Sequence, residues 1–194
     1  LKESISVPFN APSALLNSRT MKTFNTIYWH KAKDKLNNAV PLMPYFYPLD
    51  AIGNWNRIYG KAGFLQFQCV VPKSDGVANM RKLLTEIANS GEGSFLAVLK
   101  QFGKANDNLL SFPTEGYTLA LDFKLSASTL KTLSRLEEMV VDMGGRIYLT
   151  KDAVMKEATF KFTYPNWKKF EAVREKYGAI GKFSSAQSQR LGIA

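Results

Sequence analysis

Between Gly63 and Pro72 the chain reads Gly-Phe-Leu-Gln-Phe-Gln-Cys-Val-Val-Pro, an alternation that leaves little room for anything but a strand. Successive side chains on a strand point to opposite faces. Leu65, Phe67, Cys69 and Val71 therefore share one face. Gln66 and Gln68 share the other, flanked by Phe64 and Val70. The first face suits a core. The second carries two neutral carboxamides at a two-residue spacing, and each both donates and accepts hydrogen bonds. That suits the hydroxyls of a polar, uncharged ligand. A solvated strand face is the plainer reading of the same pattern.

The stretch after this strand sets its partners. Ser74 is placed to cap a helix in which Val77, Met80, Leu83, Leu84 and Ile87 recur at helical spacing up to Gly91. A second strand is expected over Ser94 to Phe102, with Phe95, Ala97 and Leu99 on one side. Leu96, Val98, Lys100 and Phe102 fall on the other. A third strand runs from Gly116 to Phe123, with Tyr117, Leu119, Leu121 and Phe123 as its apolar face and Thr118, Ala120 and Asp122 opposite. A second helix carries Leu130, Leu133, Leu136, Val140 and Met143 and stops at Gly144-Gly145. A short fourth strand covers Arg146 to Leu149. Strand, helix, strand, strand, helix, strand is the α+β, ferredoxin-like split βαβ order, with helices on one face of an antiparallel sheet. The other face is then free for a ligand, and Gln66, Gln68, Lys100, Phe102 and Thr118 are placed on it. A polar row beside aliphatic and aromatic groups fits a sugar-like ligand with an apolar tail.

The flanks are less regular. Prolines at 8, 12, 41, 44 and 48 break residues 1–47 into irregular or partly helical pieces. Leu49 to Tyr59 is expected to form a short helix that brings Trp55 near the glutamine strand. Thr150-Lys151-Asp152 opens a loop or helix, and a further helix is expected from Pro165, carrying Trp167, Phe170 and Val173. The polar tail closes on Leu191 and Ile193.

With 194 residues, 45% of them hydrophobic, the chain can build one full domain, or one domain plus a lead-in. No apolar run approaches the roughly 18 residues that would span a bilayer. The chain opens on Leu1 without a signal-peptide pattern, so a piece of a longer polypeptide is expected, with a processed mature protein as the alternative. The lone Cys69 is expected to fill the core, which argues against a disulfide and a thiol nucleophile. His30 is the only histidine; with no Cys/His cluster, no structural metal is expected. The net charge of +10 gives weak support to a phosphate-bearing ligand or an anionic surface. Lys31, Lys33 and Lys35 form the tightest basic cluster. Glu137-Glu138 reads as a solvated helix face.

Several chemistries are missing. There is no phosphate-cradling loop of the Walker type and no GxGxxG opening a helix, and with His30 the only histidine available no Ser/His/Asp set is proposed. By itself the domain reads as a binding half whose reactive group comes from a cofactor held elsewhere.

A series of motifs then falls in one order: Tyr47-Pro-Leu-Asp50, Trp55-Asn-Arg57, Tyr59-Gly60, Gly63 to Gln68, Ser94 to Lys100, Phe102-Gly103, Leu110-Ser-Phe-Pro113, Gly144 to Tyr148 and Lys151-Asp152. In these the chain resembles the C-terminal, substrate-binding part of FAD-linked oxidases of the vanillyl-alcohol oxidase superfamily, closest to the decaprenylphosphoryl-β-D-ribose oxidase-like branch. The resemblance runs from about Tyr47 to the end. It implies FAD as cofactor, held mainly by an N-terminal domain of the same protein, with residues 1–47 as a lead-in and 48–194 as the substrate-binding cap. It implies hydride transfer from a sugar, or lipid-linked sugar, to flavin, with a partner reductase completing a net epimerisation.

Residue by residue, Lys151 matches the family lysine between flavin and substrate, and Tyr148 a flavin-contacting tyrosine. Gln66, Gln68, Lys100, Phe102, Leu49, Trp55, Leu96 and Val98 match substrate-pocket positions. Thr118 and Ala120 stand where that branch has asparagine and cysteine, and Phe46 where it has tyrosine. Ser184-Ser185 and Gln189-Arg190 replace a Ser-Asp pair and a double arginine. This chain alone is expected to be inactive. A cytoplasmic location with peripheral contact at the inner membrane is the expectation. The alternative is a basic ferredoxin-like module that binds nucleic acid or protein without catalysis. An RNA-binding sheet needs exposed aromatics on its central strands. Phe67 faces the core side instead, so no nucleic-acid partner is expected.

Overall fold

A computed structural model describes residues 5–12, 15–31, 39–47, 52–94 and 96–194. It separates into two compact units, Leu1–Phe64 with Lys124–Ser126, and Leu65–Phe123 with Ala127–Ala194.

In the first unit, β1 (Ile5–Ser6) is followed by α1 (Ser18–Lys31), α2 (Leu42–Phe46) and β2 (Ile52–Gly53). β1 and β2 pair in parallel, Ile5 opposite Ile52. Asn17 starts α1: its Oδ1 accepts from the N–H groups of Arg19 and Thr20, the role a short polar side chain plays at an N-cap. Of the helix expected over Leu49 to Tyr59, residues 49–51 lie outside the described residues, Ile52–Gly53 form β2, and Trp55–Tyr59 form a 3₁₀ turn. Asn54 precedes it at φ 55°, a left-handed conformation that no helix continues through. Tyr59 stacks on Phe64 at 4.8 Å and Trp55 meets the same ring at 5.1 Å. The Arg57 guanidinium donates to the carbonyls of Val7 and Pro8.

The second unit carries the expected split βαβ order. β3 (Phe64–Pro72), α3 (Gly76–Ser90), β4 (Ala97–Phe102), β5 (Gly116–Lys124), α4 (Ala127–Asp142) and β6 (Arg146–Ile147) follow in sequence. The four strands form an antiparallel sheet in the order β4-β5-β3-β6. Its helical face is the core. Phe67, Cys69 and Val71 of β3 and Leu119, Leu121 and Phe123 of β5 pack with Met80, Leu83 and Ile87 of α3 and Leu133, Leu136 and Val140 of α4. Alternation placed each of these strand residues correctly. Gly116 has a specific reason to lack a side chain: a Cβ there would lie 2.0 Å from the Val71 carbonyl oxygen. Gly144 ends α4 at φ 70°, the left-handed position that glycine fills without strain.

Several boundaries differ from expectation. α3 starts at Gly76 after Asp75, and no side chain caps it, so Ser74 is not its cap. Val77, Leu84 and Leu130, assigned to buried stripes, are exposed. β4 is an edge strand, so Leu99 on the helical face is also exposed; it lines a groove of about 510 Å³ with Val77, Met80, Leu84 and Tyr117. The pair Glu137-Glu138 splits. Glu138 is exposed and sits 3.3 Å from Lys156 Nζ. Glu137 is only 1% exposed, because it lies one turn after Leu133 on the inner stripe, and its Oε1 accepts the Lys156 N–H at 2.9 Å.

After β6 come a 3₁₀ turn (Leu149–Lys151), α5 (Glu157–Thr163), α6 (Trp167–Lys176) and α7 (Ala186–Arg190). α5 was not legible as a helix. α6 begins after Asn166 rather than at Pro165. Ser185 and Ser188 form a reciprocal capping box at the start of α7, and Leu191 beyond it is buried.

Candidate functional site

The face of the sheet away from α3 and α4 carries one continuous polar row. Lys100 on β4 lies opposite Thr118 on β5. Gln68 on β3 donates from Nε2 to Thr118 Oγ1 at 3.0 Å. Tyr148 donates its N–H to the Gln68 carbonyl at 2.8 Å, which extends the β3–β6 pairing by one residue. The row therefore crosses the sheet from edge to edge, and four residues of the expected site occupy it in order. Beside it, Gln66 Nε2 donates to Asp122 Oδ1 at 3.0 Å.

Aromatic rings run alongside the row from one end to the other. Phe102 meets Phe112 edge-on at 5.8 Å, and Phe112 stacks on Tyr148 at 4.6 Å. Phe112 is buried and locks both neighbours. The order Leu110-Ser-Phe-Pro113 was the signal for it, but periodicity assigns a loop aromatic no face.

The centre of the face is closed rather than free. Val70 and Thr118 are buried, and Asp122 is 2% exposed, while Gln66 and Gln68 are half-buried. Among the described residues Asp122 Oδ2 has no hydrogen-bond partner. Burial pushes the Asp122 carboxyl above the usual carboxylate range, against the pull of the Gln66 hydrogen bond and the Lys151 charge. Alternation had put Asp122 on this face without giving it a role.

Lys151 ends the 3₁₀ turn, half-buried, and its N–H donates to the Tyr148 carbonyl at 2.9 Å. The turn is held from both ends. Asp152 Oδ1 accepts from the N–H groups of Val154 and Met155 at 2.9 and 2.7 Å, and Asp152 Oδ2 accepts from Arg190 Nη2 at 2.8 Å. Gln187 Nε2 donates to the Leu149 carbonyl. Thus α7 clamps the lysine-bearing turn, a link between segments that lie far apart in the chain. Below it, burial raises the Tyr164 hydroxyl above its ordinary range, and this hydroxyl donates to the Ile147 carbonyl at 2.6 Å. Arg146 lies over the Tyr164 ring at 5.2 Å, its guanidinium pKa lowered by burial.

The remaining expected residues are scattered. Leu96 and Val98 are half-buried at the start of β4, Val98 opposite Ala120. Ser94 Oγ donates to the Leu96 carbonyl and accepts the Asp122 N–H, tying that corner to the acid. Trp55 belongs to the other unit and packs on Phe64. Leu49 lies outside the described residues, as do Lys33 and Lys35. His30 is exposed on α1. Cys69 is fully buried in the core, where burial pushes its thiol up to about 12.

No protein-family model matches the chain. Over 189 residues, 97% of its length, it is 34% identical to the decaprenylphosphoryl-beta-D-ribose oxidase of Mycolicibacterium smegmatis. The chain is similar to a C-terminal domain of such an oxidase. The alignment covers 41% of the oxidase, so the chain spans less than half of this relative. Over 115 residues it is also 30% identical to an uncharacterized Streptomyces coelicolor protein in the mprA 5′ region, of which it covers 31%. The oxidase similarity therefore takes in the polar row, the Tyr148 ring and the clamped lysine turn together.

Proposed function

We propose that this chain is the substrate-binding half of a FAD-dependent oxidoreductase that oxidises a hydroxyl of a sugar or lipid-linked sugar. The observation that carries the reading is the row Lys100–Thr118–Gln68–Tyr148, which ends beside a lysine fixed by its own hydrogen-bonded clamp. The donor set fits a flavin: a half-buried cation and an aromatic ring one turn apart suit a planar group that gains negative charge on reduction. Bound FAD would supply the hydride acceptor. Lys151 would hold its charge against that group and orient the reacting hydroxyl. Tyr148, backed by Phe112, would offer a rigid ring surface. Gln66, Gln68 and Lys100 would bind the rest of the sugar, with Phe102, Leu96 and Val98 against its apolar part. An N-terminal domain of the same protein would hold most of the FAD, and a separate reductase would act on the oxidised sugar.

The first test is a visible spectrum of the full-length gene product, taken anaerobically before and after addition of pentose derivatives. Bleaching of a flavin band by one sugar class supports the reading. A colourless protein that takes up no added FAD overturns it. In the same protein, Lys151→Ala should cut the rate of flavin reduction by a hundredfold or more with the fold retained. Near-normal reduction in stopped-flow absorbance would remove Lys151 from this role. The isolated chain should bind FAD weakly, and calorimetry showing micromolar affinity would contradict the division of labour.

A further inference from the structure

The two glutamines of the sheet face are hydrogen-bonded in one sense only. As a carboxylate, Asp122 can only accept, and its Oδ1 takes the Nε2–H of Gln66 at 3.0 Å. The Thr118 hydroxyl has a single proton, which it donates to the Cys69 carbonyl at 2.8 Å. Its oxygen is left as an acceptor, and Gln68 Nε2 donates to it at 3.0 Å. The network thus decides the orientation of both carboxamides. Each nitrogen is tied to β5. Each carbonyl oxygen is left over, and neither has a hydrogen-bond partner among the described residues.

We propose that Gln66 and Gln68 are specificity-determining residues that read hydroxyl donors, with Asp122 and Thr118 as positioning residues that fix the amide sense. The inference rests on the oxidoreductase reading and names the ligand groups that site takes. The two side chains are rooted about 7 Å apart on one face, within reach of hydroxyls on a single sugar ring. A hydroxyl donates to a carbonyl oxygen. A phosphate or carboxylate presents only acceptors and finds no donor in the two carbonyl oxygens; only the second N–H of each carboxamide is left to meet it. Lys100 at the exposed end of the row is a cation for the anionic end of a sugar phosphate.

Deoxyfluoro sugars separate donor reading from acceptor reading, because fluorine keeps some acceptor character and has no proton to give. The probe is a β-D-ribofuranosyl phosphate with a short prenyl chain, compared with its 2-deoxy, 3-deoxy, 2-deoxy-2-fluoro and 3-deoxy-3-fluoro analogues. Affinity for the FAD-loaded full-length protein is measured by calorimetry, and flavin bleaching is followed in parallel. At one or both positions the fluoro analogue should bind as weakly as the deoxy analogue, each about tenfold below the parent. Thr118→Val should erase that discrimination at one position, and Thr118→Ser should restore it, which a merely structural role for Thr118 would not produce. Fluoro analogues that bind like the parent at both positions overturn the proposal, as does a panel with no discrimination. Discrimination without bleaching leaves the donor reading standing and sinks the oxidoreductase reading. A parent sugar that does not bind at all sinks both.

Discussion

Two residues of the second unit, Asp122 and Cys69, carry ionisation shifts that stability should report. The folded state raises the Asp122 carboxyl above its unfolded value near 3.9. Its favourable contribution is therefore complete below about pH 3.9 and is lost as pH rises through the folded value. Above that folded value the ionised, 2% exposed side chain is a net cost. Asp122→Asn keeps an acceptor for Gln66 and removes the charge, so it should raise the melting temperature at pH 7 by a few degrees, with the gain fading towards pH 4. Thermal melts at the two pH values check this, and a larger loss at pH 7 than at pH 4 would contradict it. The Cys69 thiol, pushed up to about 12 by complete burial, follows the same sign in a different window. Above the ordinary thiol range of about 8.5 the unfolded chain ionises and the folded one does not, so stability is lost by roughly 1.4 kcal/mol per pH unit up to about 12. At neutral pH the thiol should react with a disulfide reagent only as fast as the protein opens. Instant stoichiometric labelling of the native protein would show that Cys69 is not in the core.

At the scale of elements, the clamp on the lysine turn and the cap on α5 are the features most open to test. Arg190→Ala strips a cation from the buried Asp152 carboxylate, which keeps its two backbone donors. The expected loss is about 2 kcal/mol in urea unfolding, below the 3–5 kcal/mol of a fully buried pair because Arg190 is partly exposed. Glu137→Ala removes the acceptor of the Lys156 N–H and leaves a hole beneath α4, for an expected loss of about 2–4 kcal/mol. A midpoint unchanged in either variant would return that residue to the solvated surface. These contacts also mark where the sequence stops being legible. The core face of β3 and β5 could be read because a period of two assigns each side chain before any partner is known. The helix starts could not, because α3 uses no side-chain cap and α6 begins after Asn166, not at the proline. Glu137 was misread because charge pointed to solvent while position pointed inward, and the deciding partner, the Lys156 N–H, comes 19 residues later. Gln66, Gln68 and Thr118 were placed together by alternation. The sense of their hydrogen bonds needed the Cys69 carbonyl and Asp122, which only the paired strands bring within reach. Lys151 and Tyr148 came from resemblance alone, since no periodicity runs through the turn that holds them.

For the molecule as a whole, the net charge of +10 and the exposed apolar surface of the first unit point to one behaviour. α1 contains no acidic residue, and it holds Arg19, Lys22 and Lys31. Ile27, Tyr28 and Trp29 on it are all well exposed, Trp29 at 77%, and Tyr28 stacks on Phe24. Among the described residues no helix is long and apolar enough to cross a membrane, so any contact of α1 with lipid would be along the surface. Basic side chains near an anionic bilayer contribute about 1 kcal/mol each at modest salt, and a tryptophan at the headgroup level adds apolar burial that salt does not screen. The two contributions can be separated. The protein should co-sediment with vesicles containing phosphatidylglycerol and not with pure phosphatidylcholine. Raising the salt should release most of it. Trp29→Ser should weaken binding several-fold at every salt concentration, because it removes the unscreened part, whereas Lys22→Gln should weaken it only at low salt. Equal binding to both vesicle types would mean that charge does not direct the contact. No binding to either would confine α1 to contacts within the protein and separate the basic charge from any role at a lipid surface.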